Sequence, residues 1–179
     1  MVKIIPSILA TTEEELEKLL RMVEPFVDRV HLDIGDGDFI PTKTISGYEE
    51  LIKMETKVKF DVHLMVSRPE GQMYFCYKTK ADRFLIHAET DHGHRNLIEQ
   101  IHLNNRHVGL VLNPETQAEK MTELIDNIDF VQFMTVHPGA YGGEFVESVV
   151  NKILEFNGQY PSVPIFVDGG VNLETVSRL

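Results

Sequence analysis

Seven short apolar runs alternate with amphipathic stretches along this chain, and this alternation constrains its fold more than any other feature. The runs are continuous, which is typical of strands buried on both faces of a parallel sheet. They fall near residues 3–9, 27–34, 58–64, 83–87, 107–112, 129–135 and 163–168. Repeated βα units with right-handed crossovers form a parallel sheet. We therefore predict an α/β fold, and we favour a TIM (β/α)8-type barrel over an open sheet.

Helical stretches lie between the apolar runs. The first is predicted to open at Thr12, where a capping hydroxyl precedes three glutamates, and residues 115–125 and 144–156 have similar patterns. Only seven βα units can be counted before Leu179, so we expect the eighth strand and helix to be absent from the sequence. The predicted organisation is a single, incomplete TIM-barrel domain over residues 1–179.

Composition excludes several classes of function. The net charge is −11, from 17 basic and 28 acidic residues, which argues against binding to nucleic acids or to anionic membranes. Cys76 is the only cysteine, so neither an intrachain disulfide nor a cysteine-based zinc site is expected. Neither a signal peptide nor an apolar stretch of about 20 residues is found. We expect a cytoplasmic enzyme.

Four residues with metal-binding side chains stand where apolar runs end: His31, Asp33, His63 and Asp168. In parallel α/β folds the carboxyl ends of the strands meet at one face, where active sites are built. Each residue alone is more often a strand-end group bonded to a loop, but the set favours one divalent cation. Two histidines and two aspartates suit Zn, Fe, Mn or Co. His87 ends another run, and we interpret it as a structural histidine rather than a fifth ligand.

Other residues at strand ends are each compatible with either a binding role or a purely structural role. The glycine-rich segment 137–144 can cradle a phosphate with backbone N–H groups or simply form a tight turn, and the same holds for 168–172. Ser7 can bond to a substrate or cap a turn. Met65 and Met134 are either core residues or apolar walls of a pocket.

Taken together and in this order, these motifs resemble the ribulose-phosphate 3-epimerase family. The resemblance spans essentially the whole chain and rests on IIPSILA at 4–10, HLDIGDGDFIP at 31–41, FDVHLMVSRPE at 60–70, HAE at 87–89, VGLVLNPET at 108–116, FMTVHPG at 133–139 and VDGGVN at 167–172.

The resemblance implies a TIM barrel with one divalent metal ion, a sugar-phosphate substrate and a homo-oligomer. It implies that the metal ligands are His31, Asp33, His63 and Asp168, and that Asp33 and Asp168 are the catalytic acid–base pair. The substrate-binding residues would be Ser7, His63, Met65 and Met134, with the phosphate near Gly139, Gly142, Gly169 and Gly170.

The implied reaction is epimerisation at C3 of D-ribulose 5-phosphate to D-xylulose 5-phosphate, a step of the pentose phosphate pathway. Two carboxylates can remove a proton from one face and return it to the other, and a cation can stabilise the enediolate between these steps. Two alternatives stay open: a hexulose-phosphate 3-epimerase acting on allulose 6-phosphate, and a truncated, non-catalytic metal-binding barrel. A related decarboxylase is disfavoured because its D-x-K-x-x-D signature is absent.

The sequence departs from the family pattern at three places on the predicted rim. Gly35 stands where the family usually has methionine, so we expect a thinner pocket wall there. Thr42 replaces an asparagine. Residues 138–145 read PGAYGGEF where the family usually has PGFGGQKF, which predicts a different backbone shape for the phosphate loop.

Overall fold

The architecture is a single parallel sheet curled into part of a barrel. A computed structural model describes residues 2–90, 93–139 and 141–179. Within them, seven strands are hydrogen-bonded in chain order: β1 (Ser7–Leu9), β2 (Arg29–Gly35), β3 (Lys59–Met65), β4 (Arg83–His87), β5 (His107–Leu112), β6 (Phe130–Met134) and β7 (Ile165–Asp168). All neighbouring pairs are parallel. The predicted TIM-type barrel with seven βα units is confirmed.

Helices connect the strands. They are α1 (Glu13–Val23), α2 (Tyr48–Lys53), α3 (Met73–Cys76), α4 (His94–Leu103) and α5 (Ser148–Gln159), with 3₁₀ segments at Pro69–Gly71, Ala118–Asn127 and Val176–Arg178. The helix α1 begins as predicted, because the Thr12 hydroxyl accepts a hydrogen bond from the Glu15 N–H at 3.2 Å. Leu16 and Leu20 of this helix are fully buried against the sheet.

The helical stretch predicted over residues 115–125 begins later than expected and is not an α-helix. That part of the chain is a 3₁₀ helix, Ala118–Asn127, which buries Met121 and Ile125. Before it, the Lys152 ammonium group donates to three backbone carbonyls within residues 113–116, at 2.7–3.1 Å. These bonds hold the start of the segment in turns, and the amphipathic pattern alone does not distinguish the two helix types.

The helix predicted over residues 144–156 begins later than expected, at Ser148. The preceding residues stay on the end of β6, because the Val146 N–H donates to the Thr135 carbonyl at 2.8 Å. This contact between the loop and the sheet competes with helix formation, and nothing in the local sequence announces it.

Side-chain alternation along the strands divides the interior into two layers. Outward-facing residues such as Leu32, Val62 and Phe133 pack beneath the helices in the main core. Inward-facing residues fill the barrel, and toward β4, β5 and β6 they are largely apolar. Along β2 and β3 the inward positions are polar, as at His31 and His63. The functional candidates therefore lie inside the barrel, on one side.

The edges of the sheet and the length of the helices both bear on the sequence predictions. Among the described residues, β1 and β7 are the edge strands of the sheet and no ladder joins them. No helix in the described part of the chain is long and apolar enough to span a bilayer. The assignment of residues 1–179 to one domain stays a prediction.

Candidate metal centre

The structure brings together the four strand-end side chains that the sequence singled out. His31 and Asp33 lie two residues apart on β2, so both point into the barrel. His63 on β3 is paired with Asp33 in the strand register. Asp168 closes β7, at the other edge of the sheet. One ligand atom from each residue lies within 4.8 Å of those from the others.

The distances define a compact group of two oxygens and two nitrogens. Asp33 Oδ1 lies 2.9 Å from His63 Nδ1 and 3.5 Å from His31 Nε2. Asp168 Oδ2 lies 3.6 Å from each of the same nitrogens. His31 Nε2 is buried and has no hydrogen-bond partner among the described residues. A buried nitrogen without a partner, facing two carboxylates, fits a metal ligand, so these residues can hold a metal ion.

Burial shapes the protonation of the group. Burial raises the pKa of Asp33 to about 7; His31 opposes this shift, and the nearby charge of Asp168 adds to it. Burial also lowers the pKa of His63 well below its usual value. A neutral imidazole has a lone pair to offer, and a divalent cation beside Asp33 would favour its ionised form.

Gln132 is a residue that sequence reasoning missed. It lies on β6, is buried, and its Nε2 donates to Asp168 Oδ2 at 3.0 Å. The Thr135 N–H donates to the backbone carbonyl of Asp168 at 2.7 Å. Together these bonds fix the position of Asp168, and the oxygen that accepts from Gln132 is the one that faces the two histidine nitrogens. The available signal was a polar residue two positions before Met134, on the same strand face.

His87 lies next to the group without belonging to it. Its Nε2 is 2.9 Å from His63 Nε2, and its Nδ1 is 3.1 Å from Glu89 Oε2. The other oxygen of Glu89 accepts from the Asn113 N–H at 2.8 Å. These contacts agree with the interpretation of His87 as a histidine with satisfied partners, and they add Glu89, which the sequence analysis did not single out.

The predicted substrate-binding residues occupy the same end of the barrel. Ser7 is exposed on β1 and is paired in register with His31. Met65 is buried at the end of β3, and Met134 is paired with Asp168 and packs in the inner core. Met65 lies two residues after His63 on the same strand face, and Met134 belongs to the apolar inner cluster.

The predicted phosphate-binding glycines form two neighbouring turns. Gly139 and Gly142 follow β6, Gly169 and Gly170 follow β7, and all four have positive φ angles, between 62° and 116°. Val136 lies so close to Gly169 that a Cβ there would overlap its side chain. The N–H groups of Gly169 and Gly170 donate to no acceptor in the ranges that the structure describes, so these donors are available to a ligand.

The thin pocket wall expected at Gly35 is filled from within the chain. A Cβ at Gly35 would stand 2.5 Å from the Thr42 carbonyl oxygen and 2.7 Å from Ile40 Cδ1. The loop after β2 thus folds back over the end of its own strand and occupies the space that a side chain at position 35 would need. Ile40, itself buried, supplies the apolar surface at this point.

The segment 138–145 is attached to two other parts of the rim. The Thr42 hydroxyl donates to the Gly139 carbonyl. The Tyr141 hydroxyl accepts from the Leu9 N–H at 2.6 Å and lies 3.1 Å from the Leu9 carbonyl oxygen. Two residues at which the chain departs from the family pattern therefore connect the phosphate-type loop to the β2 loop and to the edge strand β1.

Fold and site together define a TIM-type barrel with a candidate centre for a divalent cation at the carboxyl ends of its strands. The chain matches the model of the ribulose-phosphate 3 epimerase family over residues 3–179, and it belongs to that family. The prediction of an epimerase is thereby confirmed.

Curated relatives extend the match across the chain. A ribulose-phosphate 3-epimerase of Bacillus subtilis is 37% identical over 98% of this chain and 84% of its own length. The Schizosaccharomyces pombe protein of the same name is 34% identical, over 97% of this chain and 78% of its own. A rice protein named as the cytoplasmic isoform is 33% identical, over 97% and 79%.

Proposed function

We propose that this chain epimerises C3 of a ketopentose phosphate, interconverting D-ribulose 5-phosphate and D-xylulose 5-phosphate. One observation carries the proposal: the carboxylates of Asp33 and Asp168 converge on one point from β2 and β7, strands far apart in the sheet. Inversion at a carbon requires a group on each of its faces. The names of the relatives support the choice of substrate.

The two aspartates would act as a proton-transfer pair. One carboxylate takes the C3 proton, and the C–H electron pair forms the C2–C3 double bond of an enediolate. The other, as a carboxylic acid, returns a proton to the opposite face of C3, and the carbonyl at C2 reforms. The roles exchange in the reverse direction.

The chemistry of the donors fits one divalent ion of the Zn, Fe, Mn or Co type. His31, Asp33, His63 and Asp168 would hold it. Such an ion supplies positive charge against the negative charge that develops on the substrate oxygen. Near neutral pH a carboxylate by itself is too weak a base to remove a proton from carbon readily. The positive charge would reduce the difference in proton affinity between the aspartate carboxylate and C3 of the substrate.

The remaining site residues would bind the rest of the sugar phosphate. Free N–H groups at Gly169 and Gly170, beside the turn at Gly139 and Gly142, support a phosphate position outside β6 and β7. Ser7 would bond to a hydroxyl or carbonyl oxygen. Met65 and Met134 would exclude water from the reacting carbon.

Exchange of the C3 hydrogen with deuterated solvent tests the proposal. The protein, loaded with a divalent ion, should place deuterium at C3 of ribulose 5-phosphate and form xylulose 5-phosphate. Asp33→Asn and Asp168→Asn should each lower turnover by about 10²–10⁴-fold. Asp126→Asn, which removes the same charge from an exposed position, is the matched control. Full exchange in either site variant would remove that residue from the mechanism.

The two alternatives are separated by substrate and by turnover. Comparing kcat/KM for ribulose 5-phosphate and allulose 6-phosphate distinguishes the pentulose from the hexulose activity. Retained metal without turnover on either sugar would support a non-catalytic barrel. The predicted homo-oligomer and the cytoplasmic location remain to be measured; a relative's name as a cytoplasmic isoform supports the second.

A further inference from the structure

We propose that His87 and Glu89 form a positioning pair that fixes which ring nitrogen of His63 faces the cation. Neither residue is a ligand, and the inference rests on the proposed cation site. It follows from an unbroken series of polar contacts that runs from Asp33 through two buried imidazoles to the Glu89 carboxylate.

The series has four members and three contacts. Asp33 Oδ1 lies 2.9 Å from His63 Nδ1, and His63 Nε2 lies 2.9 Å from His87 Nε2. His87 Nδ1 then lies 3.1 Å from Glu89 Oε2. Both imidazoles have no solvent exposure, so water cannot replace a missing partner. Each contact needs one donor and one acceptor, and the choice at one end therefore fixes all the others.

Glu89 sets the direction of the series. Burial raises its pKa, but hydrogen bonds from His87, from the Thr116 side chain and from the Asn113 N–H outweigh this and hold the pKa at about 2. An ionised carboxylate only accepts hydrogen bonds, so His87 Nδ1 must carry a hydrogen. The Nε2 of His87, which faces His63 Nε2 at 2.9 Å, is then the acceptor for His63 Nε2–H. The remaining nitrogen of His63, Nδ1, keeps its lone pair toward the group of four ligand atoms, where a cation held by Nδ1 and Asp33 would take the place of a hydrogen bond between them.

Surrounding contacts hold the pair in place. The Phe39 ring lies 4.6 Å from the His87 ring, centroid to centroid, and covers it. The loop that supplies the Asn113 N–H is tied to α5 by Lys152, whose ammonium group donates to three carbonyls of residues 113–116. Glu89 thus bonds to a fixed loop at one oxygen and to His87 at the other, and it can rotate only by giving up both bonds.

The opposite tautomer would place an N–H where the cation must bind. A partner that orients a ligating histidine typically changes metal affinity by 10-fold to 100-fold when removed. His87 and Glu89 should therefore act on cation affinity without touching the ion or the substrate, which separates them from the catalytic aspartates.

Glu89→Gln tests the pair with little change of shape. The side-chain amide of glutamine has one acceptor, its oxygen, and one donor, its NH₂ group. Both oxygens of Glu89 accept hydrogen bonds, so glutamine cannot replace both of them. Either the amide NH₂ faces His87 Nδ1 and reverses the series, or it faces the Asn113 N–H and loses that bond. Asp129→Asn is the matched control: Asp129 also contacts histidines, His102 and His107, and accepts a backbone N–H, from Val108, but it lies just before β6, away from the carboxyl ends of the strands.

The measurements are the affinity for Zn²⁺ by chelator competition and the tautomer of His63 by ¹⁵N NMR of the metal-free protein. We expect Nε2–H at His63 in the parent protein, at least tenfold weaker Zn²⁺ binding by Glu89→Gln, and unchanged binding by Asp129→Asn. An affinity of Glu89→Gln within twofold of the parent, or Nδ1–H at His63 in the parent, would overturn the proposal.

The same experiment separates this proposal from the proposed function. If the parent protein binds no divalent ion, the metal part of that function fails, and the tautomer in the metal-free protein still decides the role of the pair. If Glu89→Gln does not fold, as judged by its thermal transition beside that of Asp129→Asn, His87→Phe replaces it. His87→Phe keeps the contact with Phe39 but removes both nitrogens, and it should also weaken Zn²⁺ binding at least tenfold.

Discussion

Two polar clusters share the strands β2 and β3, and they differ in how their charge is balanced. At the amino ends, Arg29 Nη1 lies 2.5 Å from Asp61 Oδ1 and 2.5 Å from Asp82 Oδ1, and Arg83 lies 3.6 Å from Asp61. Two guanidinium groups there face two carboxylates. We call this set the lower cluster.

The upper cluster consists of His31, Asp33, His63 and Asp168. It also contains two carboxylates, but among the described residues no lysine or arginine forms an ion pair with either of them. Burial raises the pKa of Asp33 and of Asp61; only for Asp61 do arginines oppose the shift. Along β2 and β3, a step of two residues therefore leads from the lower cluster, whose carboxylates face arginines, to the upper cluster, whose carboxylates do not.

The difference indicates what each cluster is for. A buried ion pair that is complete contributes at most modestly to stability but is costly to break. A buried pair of carboxylates without a counter-charge is unfavourable unless it takes up protons or a cation. We interpret the lower cluster as structural and the upper cluster as a binding site, and this contrast can be tested in each of its parts.

The largest expected effect is on the lower cluster. Asp61→Asn removes the fully buried carboxylate that faces the buried guanidinium of Arg29 and the half-buried one of Arg83, so we expect the free energy of unfolding to fall by about 3 kcal/mol. Urea denaturation measures this change. Asp28→Asn, which loses only an exposed pair with Lys3, is the control and should change little. Zn²⁺ affinity of the folded Asp61→Asn protein should match the parent; a large loss would contradict the division into two clusters.

Adding a cation should stabilise the protein through the upper cluster alone. At 100 times its dissociation constant, a bound ion adds about 3 kcal/mol to the free energy of unfolding. For a chain of this size that raises Tm by roughly 5–10 °C. Differential scanning calorimetry with and without Zn²⁺ measures the shift. It should disappear in His31→Ala and persist in Asp82→Asn; an equal shift in both variants would place the ion elsewhere.

The contribution of Asp33 to the stability of the metal-free protein should decline as pH rises from about 4 through 7. The folded protein keeps a proton on Asp33 that the unfolded chain has already lost. The lowered pKa of His63 acts in the opposite direction below the ordinary histidine pKa, so the Asp33 contribution is measured as the difference between the parent and Asp33→Asn. Asp33→Asn removes the contribution and should raise the free energy of unfolding at pH 8 by roughly 1–3 kcal/mol. Urea denaturation at pH 5 and pH 8 gives the comparison. A variant that is less stable than the parent at pH 8 would refute the predicted sign.

The smallest effect should come from Gln132. Gln132→Met removes the amide that donates to Asp168 while it keeps a side chain of similar length. We expect about tenfold weaker Zn²⁺ binding and near-normal stability. Chelator competition measures the affinity, and Gln100→Met on the exposed face of α4 is the control. No change in affinity would mean that Asp168 is positioned by its backbone contacts alone.

Much of the fold, and the convergence of the four site residues, could be predicted because strand ends in parallel barrels share one face. Continuous apolar runs marked each strand, and alternation placed His31 and Asp33 on the same side. The helix predicted over 115–125 differs in its start and its type because the contacts of Lys152 with the preceding loop are tertiary, and the pattern of apolar residues does not indicate them.

The supporting residues of the site were harder to predict for a similar reason. Gln132 acts on a side chain of the neighbouring strand, and Glu89 acts through a second histidine. In the sequence, each is seen only as a polar residue in or after a strand. The filling of the space at Gly35 by Ile40 depends on a loop that folds back on itself. Such contacts are visible only once the strands are adjacent.

The most direct test of the account is an anomalous difference map from crystals loaded with Zn²⁺ and measured at the zinc edge. The account predicts one strong peak per chain, about 2.0–2.2 Å from His31 Nε2, His63 Nδ1 and an oxygen each of Asp33 and Asp168. A peak that avoids these atoms, or no peak in crystals that hold the ion elsewhere, would contradict it.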